Sequence, residues 1–282
     1  WRSISCFRLL ASLPYMSICT REHMTAPPAE KRSLWQNLTE MWRMQSYRRI
    51  LLSGLLRTPS GLMNLLQMTV LSYYFGNNGR TPYVHYMLLL GIPAFLGQLI
   101  AAGVAPKLAD KYGAATTFAQ ANVFAGLALL AAFALFLCRP QQLTQALPFT
   151  LLILLLFCNM FCCGLVNTVQ SILIADAADL TEKESGIRRD GIFVSGQSLL
   201  IKLSTGVSAL LQGLVFAISG FSGTAVRQIN RALYAGADFA TDPSFATPRF
   251  AMFFLFLCLP GIAYLLSALP YRKGRNPHKA PV

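Results

Sequence analysis

Lys202 lies deep in an apolar run, and a cluster of acidic and basic side chains from Asp176 to Asp190 precedes it. A lone cation in hydrocarbon costs about 2.5–3.5 kcal/mol on insertion scales, so Lys202 needs a partner, a wet cavity or a task. Its neighbours supply a pattern. Ser195, Ser198, Lys202, Thr205 and Gln212 recur at spacings of three, four, three and seven, which is one stripe of a helix. Arg57, Ser60, Asn64, Gln67 and Tyr74 form a second stripe, and Asn159, Cys163, Asn167 and Gln170 a third. Interhelical hydrogen bonding, at about 0.6 kcal/mol per bond, accounts for any single serine or asparagine. Three long polar stripes, two carrying a cation, fit a wet solute path better. Candidate path residues are therefore Lys202, Arg57, Asn64, Gln67, Asn167, Gln170, Ser198 and Thr205. Asp176 and Asp179 stand where an apolar run meets the membrane interface, three residues apart on neighbouring faces of one helix. With Arg188 and Asp190 they form a candidate cytoplasmic gate, while Glu182, Lys183 and Glu184 read as a solvated loop.

The elements that must position these residues are membrane helices. The chain is 54% hydrophobic and 12% charged, against a usual charged share of about 25%. Apolar runs of about 20 residues repeat along it, the length a bilayer core requires. The pattern predicts spans from about Ile50 to Phe75, Val84 to Val104, Ala115 to Leu137, Leu147 to Ile174, Ile192 to Ser219, and a shorter one from Phe250 to Leu269. Arg57-Thr58-Pro59 predicts a kink in the first. The expected architecture is thus an all-α membrane protein with a six-helix transmembrane domain over 50–270.

Orientation follows from the basic residues. Fifteen lysines and arginines fall in the lead, the second and fourth connections and the tail, and five in the alternate connections. The positive-inside rule makes the richer side cytoplasmic, including the carboxy terminus. The net charge of +13 then reflects topology and lipid headgroups. No basic helix or stacking module accompanies it, so nucleic acid is not an expected partner. The seven cysteines form no CxxC pair and the three histidines are scattered, so neither a metal site nor a disulfide framework is expected. Residues 1–20 read as the remnant of a preceding membrane helix (or as lying before a local start at Met24), 21–49 as a cytoplasmic linker, and 271–282 as a cytoplasmic tail. Six helices behind a long cytoplasmic lead look like half of a larger protein.

The segment IADAADLTEKESGIRRDG, followed by a lysine in the next helix, resembles the tenth and eleventh helices of glycoside–pentoside–hexuronide:cation symporters. These are the melibiose-permease-like branch of the major facilitator superfamily. Ala175, Asp176, Asp179, Arg188, Asp190 (in place of the family's glutamate) and Gly191 carry the match, and Lys202 falls where melibiose permeases carry a lysine. Leu71 to Phe75 resembles the family's seventh-helix end, Pro106 to Gly113 the superfamily's loop between helices eight and nine, and Thr20-Arg21-Glu22 the close of helix six. The chain departs from the pattern at Leu180 and Thr181, which replace Tyr-Gly. It departs again at Asn167, which stands where melibiose permeases place a sugar-site tryptophan.

The resemblance implies the carboxy-terminal half of a major facilitator fold in the cytoplasmic (inner) membrane. It implies symport of a sugar or glycoside with a cation by alternating access. The coupling cation, sodium, lithium or proton, is expected in the missing amino-terminal half, which is itself an expected partner along with membrane lipid. No cofactor is expected. A lysolipid or other amphipathic solute is the same-class alternative. Asp176-x-x-Asp179 also resembles the magnesium–diphosphate motif of intramembrane prenyltransferases, but such an enzyme needs a second acidic motif facing the first, and this chain has none. The expectation is therefore a transporter and not an enzyme.

Overall fold

The computed structural model describes Thr39, Trp42 and residues 44–79, 82–185, 190–218 and 223–271, all within one unit, Leu38–Val282. Among these residues the chain is helical, without strands. Helix α1 spans Gln45–Leu56, a 3-10 turn Thr58–Gly61 follows, and α2 spans Leu62–Val70 before a π turn at Leu71–Phe75. Then come α3 (Val84–Tyr112), α4 (Ala114–Cys138), α5 (Ala146–Ser185) and α6 (Asp190–Ile218). The chain closes with α7 (Gly223–Tyr234), α8 (Ala246–Phe253), a π turn at Phe254–Cys258 and α9 (Leu259–Ser267). Among the described residues, five stretches are long and apolar enough to cross a membrane: Val84–Tyr112, Ala114–Cys138, Ala146–Lys183, Ser195–Ala217 and Pro243–Tyr271. The all-α membrane architecture expected from composition is what the chain adopts.

Several details differ from the sequence expectation. The span Ile50 to Phe75 is a broken helix, not a continuous one, and the break falls at the predicted Arg57-Thr58-Pro59. Pro59 has no N–H to give the Leu55 carbonyl, and the Thr58 hydroxyl donates to that carbonyl instead. The segment Pro106 to Gly113, expected as a loop, is helical to Tyr112. The reversal rests on Gly113 alone, at φ 86°, where an L side chain would be strained. Glu182, Lys183 and Glu184 are also helical, because α5 runs on to Ser185. Forty residues make a helix of about 60 Å, twice the ~30 Å hydrocarbon core, so Asp176 and Asp179 ride on an extension. Helix α7 was not expected at all. It is a short amphipathic helix seated by buried Ile229 and Leu233.

Helix α5 is the spine, packed along α3 on one side and α4 on the other. Phe136 stacks on Phe253, centroids 4.2 Å apart, which joins α4 to α8. A buried polar chain ties three elements: Ser53 Oγ donates to the Ser267 carbonyl at 2.6 Å, and Ser267 Oγ to Asn122 Oδ1 at 2.9 Å. The outer face of α3 leaves Leu88, Ile92, Phe95 and Leu99 exposed, a surface that hydrocarbon solvates and water does not. At the end where α2 turns into α3, Asn77 and Asn78 take positive φ values of 44° and 54°. Asn77 Oδ1 accepts from the Phe239 N–H at 2.9 Å, and Asn230 Oδ1 accepts from both Tyr73 Oη and Asn78 Nδ2 at 3.1 Å. Arg249, buried, donates to the Phe239 and Ala240 carbonyls there. Just outside that helix, Asp242 accepts from Ser244 Oγ and its backbone N–H, and those bonds hold its carboxyl below the usual carboxylate range.

Candidate solute site

The break after α1 builds the site. At the 3-10 turn the Thr58 carbonyl faces α6, and Ser204 Oγ and Ser208 Oγ donate to it at 2.9 and 3.0 Å. Docking α6 this closely needs small side chains, and the serines are four residues apart on one face. The same break sets Arg57 at a helix end with its guanidinium facing α5. There its Nη2 donates to Gln170 Oε1 at 2.7 Å. Gln170 is buried at 6% exposure, so the pair is held from the α5 side.

Around this pair lies a cavity of about 600 Å³. Arg57, Ser60 and Asn64 line it from the first broken helix, Cys163, Asn167 and Gln170 from α5, Gln197, Ser204 and Thr205 from α6, Gln98 from α3 and Tyr264 from α9. Among the described residues lining it, Arg57 is the one charge, and none is a carboxylate. Amides, hydroxyls and a guanidinium converging on a cavity of this size suit a polyhydroxylated solute. No group of three or more histidine, cysteine or acidic side chains that could hold a metal occurs among the described residues.

Five of the eight residues expected on the path meet at this cavity: Arg57, Asn64, Asn167, Gln170 and Thr205. Gln67 lines an adjoining chamber of about 270 Å³ with Asn64. Ser198 and Lys202 lie on an exposed face of α6, apart from the cavity lining. The polar stripes are also not uniform in role. Tyr74 turns into the core and donates to the Pro140 carbonyl at 2.9 Å, because the π turn shifts the helical register there. Asn159 is buried against α4, donating to the Ala125 carbonyl at 3.1 Å. Ser60, Gln98, Gln197, Ser204 and Tyr264 were not singled out as path residues. The four-residue spacing of Ser204 and Ser208 is a signal of a helix contact that the polar stripes passed over.

Of the expected gate, Asp176 is half-buried and Asp179 exposed on the α5 extension. Arg188 lies outside the described residues, as does the side chain of Asp190, the first residue of α6. The same region holds a contact that the charge pattern did not announce. Tyr47 of α1 meets Phe193 of α6 edge-on at 4.7 Å, and its hydroxyl donates to the Phe193 carbonyl at 2.9 Å. Ile50, Ile174, Ala177 and Ala178 complete this buried cluster.

Comparison with known proteins places this geometry in context. A family model described as MFS/sugar transport protein matches residues 4–273. The chain is 26% identical over 271 residues to the inner membrane symporter YicJ of Escherichia coli (strain K12), covering 95% of this chain and 51% of that protein. It is 26% identical over 167 residues to an uncharacterized 29.9 kDa protein in the crtE 3' region of Pseudescherichia vulneris, covering 59% and 56% of the two. The chain spans about half the length of the curated relatives it matches.

Proposed function

The chain belongs to the MFS/sugar transport protein family, and from that premise we propose that its polar cavity is one wall of the solute path of a secondary active transporter. The reading made from the Ile174–Lys202 segment, a relative of the glycoside–pentoside–hexuronide:cation symporters, holds at the level of the family. The solute is a sugar or glycoside, moved with a cation by alternating access around a site near the membrane midplane. Residues 50–270 act as one six-helix half of that machine in the inner membrane, with the carboxy terminus cytoplasmic.

The observation that carries this reading is the Arg57–Gln170 pair, presented to a polar cavity by a broken membrane helix. Discontinuous helices are a recurrent way to place polar groups at a transport site. Asn64, Asn167, Gln170 and Thr205 supply hydrogen bonds to solute hydroxyls. Lys202 and Ser198 face the opposite wall of the path: an exposed lysine at that depth costs too much against lipid, so its face of α6 meets water or another polar surface. Asp176, Asp179, Arg188 and Asp190 form part of the cytoplasmic gate. The coupling cation (sodium, lithium or proton) is assigned to the other half of the fold.

The test is uptake into proteoliposomes across radiolabelled sugars and glycosides, with sodium, lithium and pH varied independently. Accumulation of at least one of them against its gradient, driven by one cation, is expected. Uptake of lysophospholipid with no uptake of any sugar or glycoside would overturn the assignment.

A further inference from the structure

We propose that a groove on the membrane face of α3, α4 and α5 holds one anionic phospholipid, with an acyl chain along the groove and the phosphate at Lys107 and Lys111. The groove, about 570 Å³, shares no lining residue with the polar cavity or its adjoining chamber, so the inference stands apart from the solute path. Size contrast along the helices builds it. Ala121 and Ala128 of α4 and Cys162 of α5 are buried on its floor, while Phe124 and Leu127 of α4 stand exposed beside them. All three helices are membrane spans, and an apolar furrow on such a surface is solvated by hydrocarbon. From Thr117 to Ala131, both on its wall, α4 rises about 21 Å at 1.5 Å per residue. One leaflet with its headgroup region is about 20–22 Å thick, half of the ~40–45 Å of a bilayer. The groove is one leaflet deep.

Its Thr117 end is polar and basic. Tyr112, the last residue of α3, lines that end together with Thr117 and Gln120 of α4. The Lys111 ammonium lies 5.1 Å from the centre of the Tyr112 ring. The Thr117 hydroxyl donates to the Leu108 carbonyl at 3.1 Å, which ties α3 to α4 where the chain reverses. Leu108 and Tyr112 share the groove side of α3. With 3.6 residues per turn, Lys107 and Lys111 fall on the flank beside that side, and Asp110 falls about 180° from its centre. The two exposed cations therefore border the groove, and the carboxylate of the same turn lies across the helix. An apolar furrow of one leaflet's depth that ends in two ammonium groups matches a hydrocarbon tail with a phosphate head. Basic pockets between membrane helices bind anionic headgroups in this way. A zwitterionic headgroup brings its own cation towards the lysines, so the anionic lipid is favoured.

The experiment titrates the purified protein in detergent with dioleoyl phosphatidylglycerol or dioleoyl phosphatidylcholine and counts retained lipid by native mass spectrometry. One phosphatidylglycerol is retained, with an affinity about tenfold or more above that of phosphatidylcholine, since each lysine near an anionic headgroup contributes about fivefold. Lys107→Gln with Lys111→Gln reduces that preference to about twofold or less and leaves phosphatidylcholine binding unchanged. Ala131→Phe, which fills the deep end of the groove, weakens both lipids by the same factor and keeps the preference. Arg139→Gln, at the other end of α4, changes neither, and an unchanged elution profile in size-exclusion chromatography reports that each variant is folded. Equal retention of the two lipids by the wild type, a preference that survives the double lysine variant, or one lost equally in Arg139→Gln overturns the proposal. A dimer in the mass spectrum that Ala131→Phe dissociates overturns it in favour of a second copy of the chain. Each of these outcomes leaves the transport reading standing.

Discussion

Arg57 donates to Oε1 of Gln170 at 2.7 Å, joining residues 113 positions apart across the break in the first membrane helix. Neither residue reaches the other by sequence proximity. Pro59 ends α1, the chain turns, and the arginine is left at a helix end facing α5. Removing either partner leaves a polar group at membrane depth without its bond. Hydrogen bonds to charged groups contribute about 1.5–3 kcal/mol, or roughly 10- to 150-fold in a binding equilibrium. Arg57→Met is expected to lower glycoside uptake by that order, with Arg57→Lys less affected because one donor can still reach Gln170. Initial uptake rates at matched expression decide it, and wild-type rates in Arg57→Met would remove Arg57 from the site.

Lys202 presents a different case, because it lies on the exposed face of α6 and not on the cavity lining. A lysine with a partner across the solute path and a lysine that reaches the interface with its flexible stem predict opposite outcomes. We expect Lys202→Met to reduce uptake at least about tenfold, given that the cost of the charge at depth is about 2.5–3.5 kcal/mol and must be offset by a specific partner. Counterflow and cation dependence, measured together, separate loss of coupling from loss of solute binding. Near-normal uptake in Lys202→Met would refute the role.

Gly126 tests the packing of α4 against α9. A Cβ added there would lie 2.7 Å from the Gly261 carbonyl oxygen, a backbone atom that cannot rotate away. Overpacking of this kind costs about 1–3 kcal/mol. Gly126→Ala is expected to lower the melting temperature in detergent by several degrees, read from thermal unfolding followed by size-exclusion chromatography. The neighbouring Ser267–Asn122 bond is then disturbed as well, since it joins the same two helices.

Arg249 is buried yet holds the Phe239 and Ala240 carbonyls that close the turn ahead of α8. Replacing it by leucine conserves bulk but strands both acceptors. Leaving a buried acceptor unsatisfied costs about 1–3 kcal/mol. Arg249→Leu is expected to destabilise more than Gly126→Ala, with Arg249→Lys intermediate, and the same thermal measurement ranks the three. A melting temperature for Arg249→Leu equal to wild type would show that the turn stands without the arginine.

Much of this molecule can be read from its residues one at a time. The run lengths between Val84 and Leu269 mark membrane helices because the bilayer imposes a length, and length is a property of the linear chain. Pro59 marks the break because a missing N–H is local chemistry. The apolar–polar periodicity also put Arg57 with Asn64, Asn167 with Gln170, and Thr205 on polar helix faces, since a shared face follows from spacing alone. Other features needed the folded chain. Whether Asn159 serves a path or a helix contact depends on which neighbour α5 presents to it, and α4 takes it. The π turn after Val70 rotates Tyr74 into the core, a register shift that no 3.6-residue pattern reports. Tyr47 and Phe193 meet because α1 and α6 converge, and the charges around them gave no sign of it. The helical elements, their membrane character and their polar faces follow from the order of residues, because those depend on local covalent geometry and transfer energies. Which faces meet, which polar groups satisfy one another, and where a polar cavity lies beside an apolar chamber came only with the folded chain, because each of those depends on contacts between segments far apart in the chain.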